Sequence, residues 1–286
     1  IMSIKEDINK NLWISSYDAG VCKIDDKTCL QYGIKEGLPN NTVWCSLIGA
    51  DNNLWFGTSD GIVKFSNNQF FPFGEKQGLN AKKVYALNQD NKGNIWIGTK
   101  KGLSVLYVKN DSIFNFPEID GMSRNIRTIF NENKNVVWFC SSDGLFRYDV
   151  RSHQAKKFDE KNGLPTNSVM SIQKDKNGVL WIGTGKGLVS YKDGEFKTIS
   201  LPGNYAANNV NFLSIDKLNN LWIGTNWGLY QLDLAKKDTI LSTDFIRYSN
   251  LDGLKSLECN QNASFIDSEN NLWFGTSLGL MKQTLT

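Results

Sequence analysis

Apolar and polar positions alternate in short runs along the whole chain, and clusters of glycine, asparagine, aspartate or lysine separate the runs. In one representative stretch the alternation predicts four strands, at residues 84–87, 94–99, 103–107 and 113–116. Turn-forming residues separate the first two strands at 90–93 and the next two at 100–102, where Gly102 suits a left-handed hairpin position. This pattern predicts a four-stranded antiparallel sheet, whose strands we call A to D in chain order.

The same pattern recurs about every 42 residues, the usual length of one propeller blade. Each copy centres on a tryptophan in strand B, and the seven tryptophans are Trp13, Trp55, Trp96, Trp138, Trp181, Trp222 and Trp273. A sheet with two apolar faces cannot bury both alone, whereas a ring of blades can. We therefore predict an all-β fold, a seven-bladed β-propeller of four-stranded antiparallel blades that occupies residues 1–286 as a single domain.

The predicted blades do not divide the chain evenly. The chain opens at strand A of blade 1 and ends after strand C of blade 7, at residues 280–282. We expect the last blade to lack its outer strand D here, and residues upstream of Ile1 to supply it, since an unpaired blade edge is a liability. The sequence is accordingly interpreted as a fragment of a longer protein.

Composition and charge limit the classes of partner. The chain is 40% apolar and 21% charged, with a net charge of +3. That excess is too small to indicate a nucleic-acid or membrane surface as partner. No apolar run reaches the length of a membrane span, and no charged-then-apolar leader opens the chain. We expect no nucleic-acid partner, and any signal peptide or membrane anchor would lie outside this stretch.

Residues suited to catalysis or metal binding are scarce. The single histidine, His153, is predicted in a turn between strands C and D, away from the expected binding face. Metal hydrolases and Ser-His-Asp enzymes need histidine in the pocket. Asp90, Asp175 and Asp216 open turns that faintly resemble calcium loops, but A-to-B hairpins need such residues anyway. We expect no enzyme activity, no cofactor and no metal.

Five cysteines are present. Cys22 and Cys29 flank a predicted turn, which would place them opposite each other on paired strands. Either they form a disulfide, which favours an oxidising compartment, or they are buried thiols that pack as small apolar residues. Cys45, Cys140 and Cys259 fall in or beside predicted strands and lack metal-ligand spacing.

Two related motifs lie between predicted strands: Gly-Leu-Pro-Asn-Asn-Thr-Val at 37–43 and Gly-Leu-Pro-Thr-Asn-Ser-Val at 163–169. Looser copies begin at Gly78 and Gly121. Together with the following Leu-Trp-Ile/Phe-Gly-Thr words, they resemble the two-component regulator propeller repeat. The resemblance covers essentially the whole chain. Departures are small-for-small changes, Ser15-Ser16 and Cys140-Ser141 in place of Gly-Thr, which do not threaten the fold.

The resemblance implies a function. Such repeats build the extracytoplasmic sensors of hybrid two-component systems of gut Bacteroidetes, where tandem propellers precede a β-sandwich, a membrane helix and a histidine kinase. It implies a periplasmic location, a glycan-derived oligosaccharide ligand, an adjoining propeller and β-sandwich as partners, and a homodimeric receptor. The longer last unit, 253–263, is similar to the final blade of the propeller nearest the membrane, so the chain is identified as the second of two propellers, without the kinase.

Residues that differ between blades are free to bind. The D-to-A and B-to-C connections of a propeller open on one face, and six cations should converge there in blades 3 and 4: Lys82, Lys83, Lys100, Lys101, Arg124 and Arg127. A basic patch of this kind suits a carboxylate or sulfate, and the alternative is a solvated charged rim. The polar residues Asn167 and Asn208 precede two other A strands.

Four aromatic residues are candidates for stacking on sugar rings: Trp44, Tyr85, Tyr205 and Trp227. Ordinary packing between blades explains Trp44 and Tyr85 better, whereas Trp227 stands at a loop tip. Three functions therefore compete. The leading one is a ligand-sensing module, the second a dimerising or protein-binding scaffold without a small ligand, and the third a propeller lyase, which the single histidine opposes.

Overall fold

The computed structural model describes residues 1–25, 27–116, 125–203, 209–235 and 240–285. The chain folds as a seven-bladed β-propeller, which confirms the predicted fold class. Six sheets contain four strands in chain order, and the last contains three. Within the described residues, no helix is long and apolar enough to cross a membrane.

The strands of the first four blades lie close to their predicted positions. Those of blade 3 begin and end within two residues of the prediction. In chain order they are β1 (Ser3–Glu6), β2 (Leu12–Ser15), β3 (Val21–Ile24), β4 (Cys29–Tyr32), β5 (Val43–Ile48), β6 (Leu54–Thr58), β7 (Gly61–Ser66), β8 (Gln69–Phe73), β9 (Val84–Gln89), β10 (Ile95–Thr99), β11 (Gly102–Tyr107), β12 (Ser112–Asn115), β13 (Thr128–Asn133), β14 (Val136–Ser141), β15 (Gly144–Asp149) and β16 (Gln154–Phe158).

The last three blades follow the same order. Their strands are β17 (Val169–Lys174), β18 (Leu180–Thr184), β19 (Gly187–Lys192), β20 (Glu195–Ile199), β21 (Val210–Ile215), β22 (Asn220–Thr225), β23 (Gly228–Asp233), β24 (Phe245–Tyr248), β25 (Cys259–Ile266), β26 (Leu272–Thr276) and β27 (Gly279–Gln283). Short 3-10 helices at Ile34–Glu36, Glu75–Gln77, Glu160–Asn162 and Asn250–Asp252 begin D-to-A connections, and another at Ser242–Asp244 precedes β24.

The chain forms two compact units. The N-terminal unit comprises residues 2–142 and 146–157, and the C-terminal unit comprises residues 1, 143–145 and 158–286. In the N-terminal unit the repeated tryptophans pack between neighbouring blades, as Trp13 does against Phe56 and Phe65. In the C-terminal unit Trp222 is equally buried in a cluster with Phe274 and Leu272. Strand B is buried along its length in most blades, because both faces of the sheet are covered.

A recurrent carboxylate fixes the turn between strands A and B. Asp216 accepts hydrogen bonds from the backbone N–H groups of Leu218 and Asn220 and from the indole Nε1 of Trp222 at 2.9 Å. The same Asp-to-Trp bond occurs in Asp7–Trp13, Asp90–Trp96, Asp175–Trp181 and Asp267–Trp273, and Glu132 bonds Trp138 in blade 4. The carboxylates weighed above as calcium ligands are therefore occupied by their own turns, as the hairpin interpretation predicted.

The carboxylates of these turns make the stability of the fold depend on pH. Burial raises the pKa of Asp7 and Asp267, but hydrogen bonds from the turn and the tryptophan outweigh it, so each pKa lies below its ordinary value of 3.8. A folded-state pKa below the unfolded one adds stability above the unfolded pKa, and that stability is lost as the pH falls through the folded one. We expect the melting temperature to drop as the pH falls below about 4, measured by scanning calorimetry. In the double variant Asp7→Asn/Asp267→Asn the melting temperature should fall less steeply below this pH. An unchanged pH dependence would contradict the assignment to these two carboxylates.

Cys22 and Cys29 form a disulfide on the outer strands of blade 1. The register sets Cys22 opposite Gln31 and Cys29 opposite Ile24. The two cysteines are thus diagonal partners on β3 and β4, not directly opposed as the sequence suggested, because the turn is longer than expected. The free thiols of Cys45, Cys140 and Cys259 are buried. Burial raises the pKa of Cys45 and Cys259 to about 12 and raises that of Cys140 as well, so all three stay protonated and pack as small apolar groups.

Candidate functional site

A β-bulge near the start of strand A positions the variable side chains. In β5 the register passes from Val43–Thr58 directly to Cys45–Gly57, so Trp44 has no partner on β6. The same shift displaces Tyr85 in β9, Met170 in β17 and Asn211 in β21 from the regular pairing with strand B. A bulge of this kind turns a side chain out of the regular alternation of a strand. In blades 2, 3, 5 and 6 the second residue of the inner strand is therefore turned out of the regular alternation.

In the N-terminal unit these side chains form a continuous row. Tyr17 meets Trp44 edge-on with ring centroids 5.5 Å apart, and Trp44 meets Tyr85 at 5.3 Å. The indole Nε1 of Trp44 donates to Ser59 Oγ at 2.9 Å, which fixes the ring. Arg127, at the equivalent position before β13, interacts electrostatically with Tyr85. We call Tyr17, Trp44, Tyr85 and Arg127 the aromatic–arginine row.

Trp44, Tyr85 and Arg127 are half-buried, and this burial shapes the electrostatics of the row. Burial lowers the pKa of Arg127, although Cys140 and Tyr85 oppose the change. Burial also raises the pKa of Tyr85, with Arg127 opposing it. Tyr85 therefore remains a neutral hydroxyl at neutral pH, beside a guanidinium that is partly withdrawn from water. Electrostatic contacts strengthen where solvent is excluded, so this is a favourable place for an anion.

Four of the predicted cations lie together at one end of blade 3. The backbone N–H of Lys100 donates to the carbonyl of Lys83 at 3.1 Å, which joins the B-to-C tip to the entry of β9. Lys82, Lys83, Lys100 and Lys101 are all exposed. The Nζ of Lys82 lies 3.4 Å from Asp60 Oδ1 at the neighbouring tip, so part of its charge is already balanced. We call these four lysines the basic tip.

The remaining predicted residues have other positions. Arg124, Tyr205 and Asn208 lie outside the described residues. Trp227 stands at the B-to-C tip of blade 6 in the C-terminal unit with 41% of its surface exposed, and its carbonyl accepts from Arg247. Asn167, in the same unit, accepts the backbone N–H of Glu160 through Oδ1 at 3.0 Å. Asn41 makes the equivalent bond to Ile34 in blade 1, so this asparagine shapes the connection.

Tyr17 is a site residue that the sequence reasoning did not select. It is 59% exposed and contacts Trp44 edge-on. A signal was present, because the B-to-C tip of blade 1 runs from Ser16 to Gly20 and is one residue longer than the tip between Thr58 and Gly61. His153 lies in the C-to-D turn, as predicted, and its Nδ1 is 3.0 Å from the hydroxyl of Tyr148.

Comparison with known proteins adds to this geometry. A family model described as "Two component regulator propeller" matches residues 37–60, 78–101 and 163–186. Three stretches of the chain are thus similar to the two component regulator propeller repeat. The first and third matched stretches begin with the Gly-Leu-Pro motifs, and the second contains the basic tip and Tyr85. No curated protein matches the chain.

Solved structures share the fold. The extracellular domain of the putative hybrid two component system BT3049 from B. thetaiotaomicron is 22% identical with a TM-score of 0.82, over 99% of this chain and 38% of that one. The extracellular domain of BT4673 from the same organism is also 22% identical, with a TM-score of 0.80 and the same coverage of both chains. A catalytically inactive histidine-to-alanine variant of virginiamycin B lyase from Staphylococcus aureus is 19% identical with a TM-score of 0.76, over 100% and 94%. The chain thus spans about 38% of the length of the two extracellular domains.

Proposed function

We propose that this chain is a ligand-sensing propeller in the extracytoplasmic region of a hybrid two-component system, and that it recognises an acidic oligosaccharide. The observation that carries the proposal is the aromatic–arginine row, in which the bulges of blades 2 and 3 place Trp44 beside Tyr85 and Tyr17 contacts Trp44. The regulator propeller repeats and the likeness to extracellular domains of hybrid two component systems support the sensing role. The Cys22–Cys29 disulfide supports an oxidising compartment, which fits the periplasm.

The chemistry of the row matches two parts of such a ligand. Aromatic rings offer flat apolar surface to the C–H face of a sugar, and the exposed Tyr17 and half-buried Trp44 supply it. Arg127 holds a carboxylate or sulfate through paired N–H donors. Lys83, Lys100 and Lys101 add a field that attracts the anion from solution. A neutral sugar gains only the first of these contributions.

Binding would be read by a histidine kinase outside this chain, in a homodimeric receptor with an adjoining propeller and β-sandwich. A ligand shifts such an equilibrium only if it binds one receptor arrangement better than the other. The chain itself contributes recognition and no catalytic step.

Isothermal titration with uronic, sulfated and neutral oligosaccharides of equal length tests the proposal. We expect an acidic oligosaccharide to bind, and Trp44→Ala to weaken binding at least about tenfold because the stacking surface is lost. Lys101→Gln should weaken it about threefold at low salt. The matched control is Lys186→Gln, which removes the same charge at the equivalent tip of blade 5 and should change nothing. Equal affinity for neutral sugars, or binding that survives Trp44→Ala, would contradict the site.

A scaffold role is favoured by one separate observation. At the second residue of the B-to-C tip, blades 2, 3 and 5 carry the charged Asp60, Lys101 and Lys186, whereas blades 6 and 7 carry Trp227 and Leu278. Trp227 and Leu278 are 41% and 71% exposed. If no saccharide binds and sedimentation shows a stable dimer, dimerisation through the tips that carry Trp227 and Leu278 would be favoured. A lyase is disfavoured because the only histidine lies in a C-to-D turn bonded to Tyr148.

A further inference from the structure

A cleft of about 900 Å³ lies between blades 3 and 4 in the N-terminal unit, beside the A-to-B and C-to-D turns. The aromatic–arginine row is not among the residues that line it. Five aromatic rings contribute to its walls, those of Trp96, Tyr107, Phe114, Phe116 and Tyr148. Tyr107 and Phe114 are 42% and 47% exposed, whereas Trp96 is almost fully buried at the floor. Size and lining match the usual properties of small-molecule sites.

Comparison among the repeats identifies a residue that makes this cleft more apolar than the equivalent surface of other blades. The residue opposite the tryptophan on strand C is Lys23 in blade 1, Lys64 in blade 2 and Lys282 in blade 7. Each of these lysines places its ammonium 5.0–5.7 Å from the tryptophan ring and covers it. In blade 3 the same position is Val105, which is buried. No lysine therefore covers Trp96 from strand C.

The apolar character continues to the edge of the sheet. Val105 pairs with Phe114 on strand D, so Trp96, Val105 and Phe114 form one apolar row across three strands. Blade 5 borders an equivalent cleft of about 930 Å³ in the C-terminal unit. There the row is Trp181, Ser190 and Lys197, and Lys192 stands where blade 3 has Tyr107. The two clefts share their backbone and differ in chemistry, so the aromatic lining is a local property of blade 3.

The rim of the aromatic cleft is basic. Lys92 and Lys134 are exposed lining residues, and His153 stands at the C-to-D turn. The acidic group among the lining residues is Asp90, whose carboxylate accepts from the backbone of Lys92 and Asn94 and from the indole of Trp96. Asn131 and Asn133 also line the cleft but bond to backbone groups of their own turns and of the neighbouring blade. The cleft thus offers rings and cations but few unengaged amides for sugar hydroxyls.

We propose that this cleft binds a flat aromatic molecule that carries an acidic group. The ring lies between Tyr107 and Phe114, above the buried Trp96, whose ring already stacks with Phe116 and Phe139, and the acid faces Lys92 and Lys134. This site goes beyond the proposed oligosaccharide function and is independent of it, since the two share no residue. Offset or edge-to-face packing among the rings gives the site its preference for flat ligands.

Titration with 1-naphthoate, followed by ligand-observed NMR and calorimetry, tests the proposal. We expect saturable binding, and binding about threefold weaker for the neutral 1-naphthalenemethanol, because the cations no longer contribute. Phe114→Lys, which installs the residue found in blade 5, should weaken naphthoate binding about tenfold. Val105→Lys, which restores the lysine of blades 1, 2 and 7, should abolish it.

The control is Phe71→Lys, because Phe71 is the exposed strand D residue that follows Trp55 and Lys64 in blade 2. It should leave naphthoate affinity unchanged. Circular dichroism and melting temperature show whether each variant is folded, and the exposed Phe114 keeps the test valid if Val105→Lys does not fold. No saturable binding, or binding that Phe114→Lys leaves intact, overturns the proposal. Loss of oligosaccharide binding has no bearing on it.

Discussion

Replacing Asp216 by alanine is expected to lower the free energy of unfolding by about 3 kcal/mol. The carboxylate is almost fully buried and accepts four hydrogen bonds, two from backbone N–H groups, one from Asn220 Nδ2 and one from Trp222 Nε1. Alanine leaves the indole N–H of the buried Trp222 without an acceptor and removes the group that closes the turn. Hydrogen bonds to an ionised acceptor contribute more than neutral ones, although their losses do not add fully.

The matched control is Asp51→Ala in blade 2. Asp51 is exposed and bonds the backbone of its own turn at Asn53. In that blade Gly49 stands where the other blades have the tryptophan-binding carboxylate, and Gln89 of the neighbouring blade caps the turn by accepting from Ala50. We expect Asp51→Ala to cost less than about 1 kcal/mol in urea unfolding. An equal loss of unfolding free energy in the two variants would show that the Asp-to-Trp hydrogen bond does not stabilise the blade.

Gly224→Ala is expected to lower the free energy of unfolding by about 2–3 kcal/mol. A Cβ at this position would overlap the ring of Phe212, which is buried and packs against Phe274. Interiors are close-packed, so the ring has no free volume into which it can move. The loss arises from overpacking and not from the backbone conformation.

Gly185→Ala provides the comparison for this effect. Its Cβ would lie 3.4 Å from Ser168 Cβ, an ordinary contact at the tip after β18. We expect a change within about 0.5 kcal/mol, measured by the same unfolding titration. Tolerance of Gly224→Ala at that level would mean that neighbouring blades rearrange around the repeat glycine more readily than the packing suggests.

The fold was predictable because its signal repeats. The spaced tryptophans and the turn glycines gave the number of blades and the positions of most strands. The departures arise where the backbone leaves regular pairing. In blade 7 the register passes from Cys259–Thr276 to Ser264–Phe274, so the bulge holds more residues than in the other blades. The seventh inner strand therefore begins at Cys259 and is longer than the inner strands of the other blades.

The candidate site was only partly predictable for a similar reason. Alternation along a strand assigns each side chain to one face, but a bulge changes that assignment without a composition signal. Packing between blades was the favoured explanation for Trp44 and Tyr85, and their ring contact agrees with it; the shifted register adds that both lie in one row with Arg127. The basic tip could be predicted because the repeat alone implies that Lys83 and Lys100 are adjacent in one blade, as the structure shows. The aromatic cleft required comparing the residue opposite each tryptophan, and that needed the observed registers.

A crystal structure of the chain with a bound acidic oligosaccharide tests the central claim most directly. The account predicts a sugar ring against the Trp44 indole and its carboxylate or sulfate within hydrogen-bond distance of the Arg127 guanidinium. Ligand density elsewhere on the molecule, with Tyr17, Trp44, Tyr85 and Arg127 untouched, would contradict it.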